Sequence, residues 1–224
     1  MNSIFDFFLP RICPGCNAKL SPSEEVICNA CKQQISRASN DRLSTEYNKK
    51  FLKDKVINDF TSAFIFEKNK PLQHLIHELK YSQRFKVGLY LGREIAKLLK
   101  EKITEWNADY IVPVPLHHLK KADRGYNQSY FISKGMSRYL GIPVKSNILR
   151  RKKYTSTQTT LSAQERKRNI ASAFVAKNKK KISGASIILV DDVITTGATV
   201  TECGKTLLSC GAKKVYALST AIAD

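Results

Sequence analysis

No apolar run in this chain approaches the ~20 residues that a membrane-spanning helix requires. The apolar stretch Ile4 to Leu9 is short, carries Asp6, and lacks a basic leader, so it does not read as a secretory signal. No internal repeat is visible, which argues against a solenoid or an array. Acidic residues are scarce: 19 Asp and Glu stand against 38 Lys and Arg, for a formal charge of +19. The expected location is the cytoplasm, with no membrane span. The charge suits polyanionic partners such as nucleic acid, nucleotides or an acidic protein. The plainer reading of the same charge is a Lys-rich surface that keeps the protein soluble.

Residues 187–199 carry the most information. Ile187-Ile-Leu-Val190 is a β-branched apolar run, as expected of a strand buried on both faces. Asp191 and Asp192 follow, then Val193, Ile194 and the loop Thr195-Thr196-Gly197-Ala198-Thr199. At the end of the strand the alternation of faces relaxes, so both carboxylates can reach the crevice where open α/β sheets bind ligands. Carboxylates accept hydrogen bonds and sugar hydroxyls donate them. The loop offers backbone N–H groups at a helix N-terminus, where anions are favoured, and Gly197 permits positive φ. The acids and the loop therefore suit a ribose phosphate. In the helix beyond, Val200, Cys203, Leu207 and Cys210 share a face, with Gly211 as the stop. Cys203 and Cys210 read as small core residues.

Four of the six cysteines form two C-x-x-C pairs, Cys13 with Cys16 and Cys28 with Cys31, separated by eleven residues. Two such knuckles complete a tetrahedral Cys₄ set for structural Zn²⁺, with no histidine needed and no open position for catalysis. Disulfides would need an oxidising compartment, and a redox C-x-x-C would follow a βαβ strand and need only one pair. Phe5, Phe7 and Phe8 are expected to pack this module against the rest of the chain.

The reading of the whole is an α/β protein in three parts: a zinc module over 1–36, a polar linker with at most one short helix over 37–60, and a main domain over 61–224. In the main domain, strands are expected at Thr61–Phe66, Asp109–Val114, Val144–Leu149, Phe174–Ala176 and Val215–Ile222. Helices are expected at His74–Tyr81, Val87–Ile103 and Asn127–Leu140. This alternation argues for a mostly parallel sheet with helices on both faces. Residues 145–181 form a basic belt of twelve Lys or Arg with one acid, Glu165. Within it Arg150, Arg151, Lys152, Lys153, Arg166, Lys167 and Arg168 are nucleic-acid-binding candidates. Tyr154 and Phe174 lie in or near the belt, but two aromatics do not establish base stacking.

Three further stretches complete the pattern. Ile111-Val-Pro-Val-Pro115 leads through Leu116, His117 and His118 to Arg124-Gly-Tyr-Asn-Gln128. This reads as a strand, a rigid turn and a helix starting near Gly125, with Pro115, His117, Arg124 and Gly125 as pyrophosphate-site candidates. Asn127 and Gln128 read equally as helix-start residues with local bonds. Leu79-Lys80-Tyr81 precedes the long helix. The segment from Arg150 to Phe174, with Gln158, Leu161, Arg166 and Asn169, could close over a polyphosphate. The 187–199 motif resembles the fingerprint of the type I phosphoribosyltransferase superfamily. With the N-terminal knuckles, the whole is similar to the ComF competence family, ComFC type, from Cys13 to about Ile222.

The resemblance implies the type I phosphoribosyltransferase fold. It implies that Asp191 and Asp192 hold the ribose hydroxyls of phosphoribosyl pyrophosphate or a related phosphosugar, that Val193 and residues 195–199 hold the 5-phosphate, and that Mg²⁺ accompanies the pyrophosphate. It also implies a role with single-stranded DNA in natural transformation, beside a helicase-like ATPase of the ComFA type. Lys120 and Lys121 stand where the family often has Arg, keeping charge but losing bidentate geometry. No stretch plainly recognises a nucleobase, and a glutaminase half is absent. Three functions remain open: a DNA-handling protein with a phosphoribosyl pocket, an active phosphoribosyltransferase with an amine or nucleobase acceptor, and a phosphoribosyl pyrophosphate sensor.

Overall fold

A computed structural model of the chain describes residues 10–153 and 172–223. In chain order the elements are α1 (Asn29–Gln33), α2 (Asn40–Lys50), β1 (Asp59–Ile65), α3 (Pro71–Tyr81), α4 (Phe85–Leu98), α5 (Lys100–Glu105) and β2 (Tyr110–Pro113). Then come α6 (His118–Arg124), α7 (Gln128–Leu140), β3 (Leu149–Arg151), β4 (Phe174–Ala176), α8 (Lys179–Ile182), β5 (Ser186–Ile194), α9 (Ala198–Leu208) and β6 (Lys214–Ile222). Four strands form one sheet in the order β1-β6-β5-β2. Every pairing within it is parallel, as the alternation of elements requires.

The two faces of the central strands feed two apolar clusters. Ile188, Val190, Tyr216 and Leu218 face α3, α4 and α7. Ile187, Leu189, Val215 and Ala217 face α9 and the segment around Phe51. Helices α4 and α7 approach so closely that a Cβ at Gly92 would lie 2.0 Å from the carbonyl oxygen of Ile132, and one at Gly135 would lie 2.3 Å from that of Leu89. Their apolar faces, including Leu91, Ile95, Ile132 and Met136, are fully buried. Each such side chain contributes roughly 1.5–3 kcal/mol of burial. The cysteine-bearing segment joins the same cluster through Leu20 and Ile27.

Four expectations are corrected. Residues 37–60 hold an eleven-residue helix, α2, capped by Ser39, whose side chain accepts the Arg42 N–H at 3.3 Å. The one buried residue of α2 is Glu46, and the helix's apolar residues Leu43 and Tyr47 pack on the core only in part. The strand expected at Val144–Leu149 is only an isolated bridge from Val144 to Ile111. Pro143 has no N–H for a ladder, and the chain pairs again, antiparallel, where Leu149–Arg151 meets Phe174–Ala176. The long helix expected over Val87–Ile103 divides at Leu99, where φ is −111° and ψ is 18°. Gly125 closes a helix instead of opening one. It follows α6 with φ at +76°, and α7 starts after Asn127.

Candidate functional site

Strand β5 runs through the acid pair to Ile194, four residues beyond the apolar run. Its alternation slips inside the strand: Val190 and Val193 both pack on the α3/α4/α7 side, whereas Leu189 and Ile194 pack on the other. The ladder to β6 pairs Asp191 with Ser219 and Val193 with Ala221 and passes over Asp192. This slip brings consecutive carboxyl groups together at the carboxyl end of the sheet. The Asp192 N–H donates to Asp191 Oδ1 at 2.9 Å, and the Ser129 hydroxyl donates to the same oxygen at 3.1 Å. Lys80 Nζ pairs with Asp192 Oδ2.

Burial, then the charge of Asp192, pushes Asp191 up to about 8. Burial alone would raise Asp192 as well, but the Lys80 ammonium outweighs it and holds Asp192 below the usual carboxylate range. At neutral pH the pair therefore carries about one negative charge. Burial disfavours the Lys80 ammonium, yet Asp192 and then Asp191 raise it overall. Lys80 stood in a noted stretch without a role, and Ser129 carried no sequence signal beyond its place at the start of α7.

Thr195 to Gly197 link β5 to α9, and Ala198 and Thr199 open the helix. Gly197 caps α9 with φ at +74°, and a Cβ there would meet the Phe51 ring at 2.7 Å. The loop is therefore packed from below by the end of α2. Thr201 N–H donates to the Gly197 carbonyl, and Ala198 N–H reaches Thr196 Oγ1 at 3.4 Å. Among the described residues, the amides of Thr195, Thr196 and Gly197 donate to no backbone carbonyl. Thr195 is exposed and Thr199 half-buried, while Val193 sits in the sheet ladder.

Opposite this loop, the turn after β2 carries buried Pro115 and His117. His117 caps α6 by accepting the Leu119 N–H on Nδ1 at 3.4 Å. Asn127 performs two local tasks: it accepts the Ser129 N–H at 3.0 Å and donates Nδ2–H to the Val114 carbonyl at 3.0 Å. Arg124 donates to Gln128 Oε1 at 3.0 Å and lies over the Tyr81 ring at 5.3 Å. Lys120 is held below its ordinary range, by burial first and then by Arg151 and Arg124. Burial also lowers Arg151, against the attraction of Asp191. Lys120, Arg124 and Arg151 thus crowd one another, and a polyanion would relieve that crowding.

The basic belt is only partly within the described residues. Arg150, Lys152 and Lys153 are exposed, and Arg151 is half-buried with its guanidinium 5.5 Å from the Phe174 ring centroid. Phe174 is itself buried, which removes it as a stacking surface. Tyr154, Gln158, Leu161, Arg166, Lys167, Arg168 and Asn169 lie outside the described residues, as do Phe5, Phe7 and Phe8.

The four knuckle cysteines come together with all Sγ atoms within 4.8 Å of one another. Cys16 and Cys28 are 3.7 Å apart at sulfur, far too long for a disulfide. Tetrahedral ligation at ~2.3 Å per Zn–S bond sets sulfurs about 3.8 Å apart, so the set fits zinc. Backbone N–H groups of Gly15 and Cys28 donate to Cys13 Sγ at 3.4 Å each. Burial opposes a thiolate at Cys13, but these bonds bring it down to about 7. Burial and the neighbouring sulfurs push Cys31 far up, a cost that a bound cation would offset. The Gly15 carbonyl accepts from His74 Nδ1 at 2.9 Å, which ties the knuckle to α3. Cys203 is buried in the core and Cys210 lies just past α9.

Among the described residues no helix is long and apolar enough to cross a membrane. The family model for the phosphoribosyl transferase domain matches residues 88–221. The chain is 32% identical over 227 residues to competence protein F of Haemophilus influenzae, covering 95% of this chain and 96% of that one. It is 38% identical over 148 residues to the DNA utilization protein YhgH of Escherichia coli, covering 65% of this chain and 64% of the relative. Competence protein ComFC of Bacillus subtilis is 22% identical over 202 residues, with 90% of this chain and 79% of the relative covered.

Proposed function

The chain belongs to the phosphoribosyl transferase domain family, in its ComF (competence protein F) group, and on that premise we propose that it binds a phosphoribosyl group and handles single-stranded DNA during uptake. The observation that carries this reading is the slip in β5. It sets Asp191 and Asp192 side by side at the sheet mouth, next to a loop whose Thr195, Thr196 and Gly197 amides donate to no backbone carbonyl and near a crowd of cations. In this reading the aspartates accept from the ribose hydroxyls, residues 195–199 hold the 5-phosphate, and Lys120, Arg124 and Arg151 face the pyrophosphate. Mg²⁺ fits as a companion of the polyphosphate, held through one or two carboxylates plus phosphate oxygens. It would neutralise the pyrophosphate charge. Zn²⁺ at Cys13, Cys16, Cys28 and Cys31 is structural and pins the N-terminal segment onto α3.

The names of the relatives, competence protein F and DNA utilization protein, support the DNA role over a housekeeping transferase. The basic residues from Arg150 to Lys153 provide a backbone-binding surface. The protein works in the cytoplasm, where a helicase-like ATPase would hand it the incoming strand. The test is oligonucleotide affinity measured across salt, with and without phosphoribosyl pyrophosphate. Counterion release predicts a steep loss of affinity as salt rises, and a flat dependence removes the DNA role. Release of pyrophosphate in the presence of Mg²⁺ and ammonia or a panel of nucleobases would instead make the chain an active transferase.

A further inference from the structure

Phe174, which lies in the basic belt in sequence, is buried, and other rings face solvent beside the pocket. Helix α7 begins Gln128-Ser129-Tyr130-Phe131, and each half of the pocket's acid pair is held by a residue with an aromatic neighbour. Ser129 holds Asp191 and precedes Tyr130, and Lys80 holds Asp192 and precedes Tyr81. Phe131 sits at the centre of a group of rings. Tyr126 and Tyr130 meet it edge-on, at 5.0 and 5.3 Å between centroids and angles of 79° and 78°, and Phe85 meets it at 5.1 Å. Tyr126 is further fixed by its hydroxyl, which donates to the Leu79 carbonyl at 2.6 Å. Tyr81 and Phe85 are 62% and 42% exposed, unusual values for rings this large.

A groove of about 510 Å³ opens between these rings and the basic side of the molecule. One wall is Tyr126, Tyr130 and Phe131; the other is Lys121, Arg150 and Arg151, and among the described residues no acid lines it. Fixed rings lose little freedom when another planar group stacks on them, and the opposite wall supplies charge for a backbone. Such a pairing of aromatic and cationic walls suits an unpaired nucleic-acid strand. An acidic peptide would use the cations but leave the rings unmatched. We propose that this groove is a base-stacking track for single-stranded DNA that leads to the Asp191–Asp192 pocket. It rests on the reading that the chain handles single-stranded DNA, and it assigns that task to Tyr126, Tyr130 and Phe131.

The experiment compares a single-stranded oligonucleotide with an abasic strand of equal length and charge, binding to the full-length, zinc-loaded protein and to Tyr130→Ala. Stacking of one base predicts a roughly five- to 150-fold loss of affinity. The wild-type protein should lose about that much on the abasic strand. Tyr130→Ala should show the same loss on the normal strand and little further loss on the abasic one, with its affinity for phosphoribosyl pyrophosphate unchanged. Tyr130→Phe should retain wild-type binding, and Tyr126→Ala, whose ring lines the same groove, gives a second reading should Tyr130→Ala misfold. Equal affinity of the wild-type protein for both strands overturns the track while leaving backbone binding standing. Failure of both strands to bind overturns both the track and the reading beneath it.

Discussion

Replacing Gly92 by Ala ties the packing of the fold to its site. The new Cβ would lie 2.0 Å from the Ile132 carbonyl oxygen and 2.9 Å from the Met136 nitrogen. Both belong to the backbone of α7, so no side chain can rotate away. A carbon normally approaches a carbonyl oxygen no closer than about 3.3 Å, so α4 and α7 must separate by about 1 Å. Overpacking of this kind costs about 1–3 kcal/mol, occasionally more. The helix propensity that Ala gains over Gly, about 1 kcal/mol, offsets part of it. Because backbone must move, the cost sits at the upper end of that range, and a net loss of about 2 kcal/mol lowers Tm by roughly 4–8 °C for a domain of this size. Trp106, the one tryptophan, is buried and stacks on Tyr216, so its fluorescence follows urea or thermal unfolding. Because α7 carries Ser129 against Asp191, the same variant should also weaken binding of phosphoribosyl pyrophosphate. Arg138→Ala, on the exposed side of α7, should stay within about 0.5 kcal/mol of wild type. A Gly92→Ala protein as stable as the parent would refute the close approach of these helices.

Two further outcomes follow from the cysteines and the acid pair. Cys13→Ser with Cys16→Ser should abolish stoichiometric zinc in an elemental assay and expose the Leu20–Ile27 side of the cluster, seen as lower solubility and Tm; full stability after chelation would show that the site is not structural. Asp191, raised to about 8, holds a proton in the folded state that the unfolded chain has already lost above about pH 4. Its contribution to stability is thus present below that pH and is lost as pH rises toward 8. The decline is a fraction of the ~1.4 kcal/mol per pH unit that one proton supplies, because Asp191 is only partly covered. Asp191→Asn should flatten it, and an unchanged slope in urea titrations from pH 4 to pH 8 would locate the raised group elsewhere.

Much of the frame was legible because it rests on periodicity. The β-branched run before Asp191, the apolar faces of α4 and α7, and the paired knuckles all carry spacing that physics constrains. Helix α2 escaped because its apolar stripe is short and mixed with charge: Leu43 and Tyr47 pack on the core only in part, Glu46 pairs with Arg42 and Lys50 along one face, and Phe51 lies just past its end. The Val144–Leu149 segment has strand-like residues at both ends, yet Pro143 and the polar turn between them prevent a ladder. Gly125 reads as a helix start or a helix stop with equal ease, and only its φ decides. At the site, the motif residues were visible as a string, whereas Ser129 and Lys80 come to the aspartates from two other helices. Contacts across more than sixty residues of sequence leave no local pattern. The aromatic groove was hidden for the same reason, since its two walls come from α7 and from the belt.

The most direct measurement is a calorimetric titration of the zinc-loaded protein with phosphoribosyl pyrophosphate and Mg²⁺, repeated on the double variant Asp191→Asn, Asp192→Asn. Binding by the parent, none by the variant, and cooperative Trp106-monitored unfolding in both is the predicted result. Equal affinity in the two proteins would contradict the assignment of the phosphoribosyl site to this acid pair.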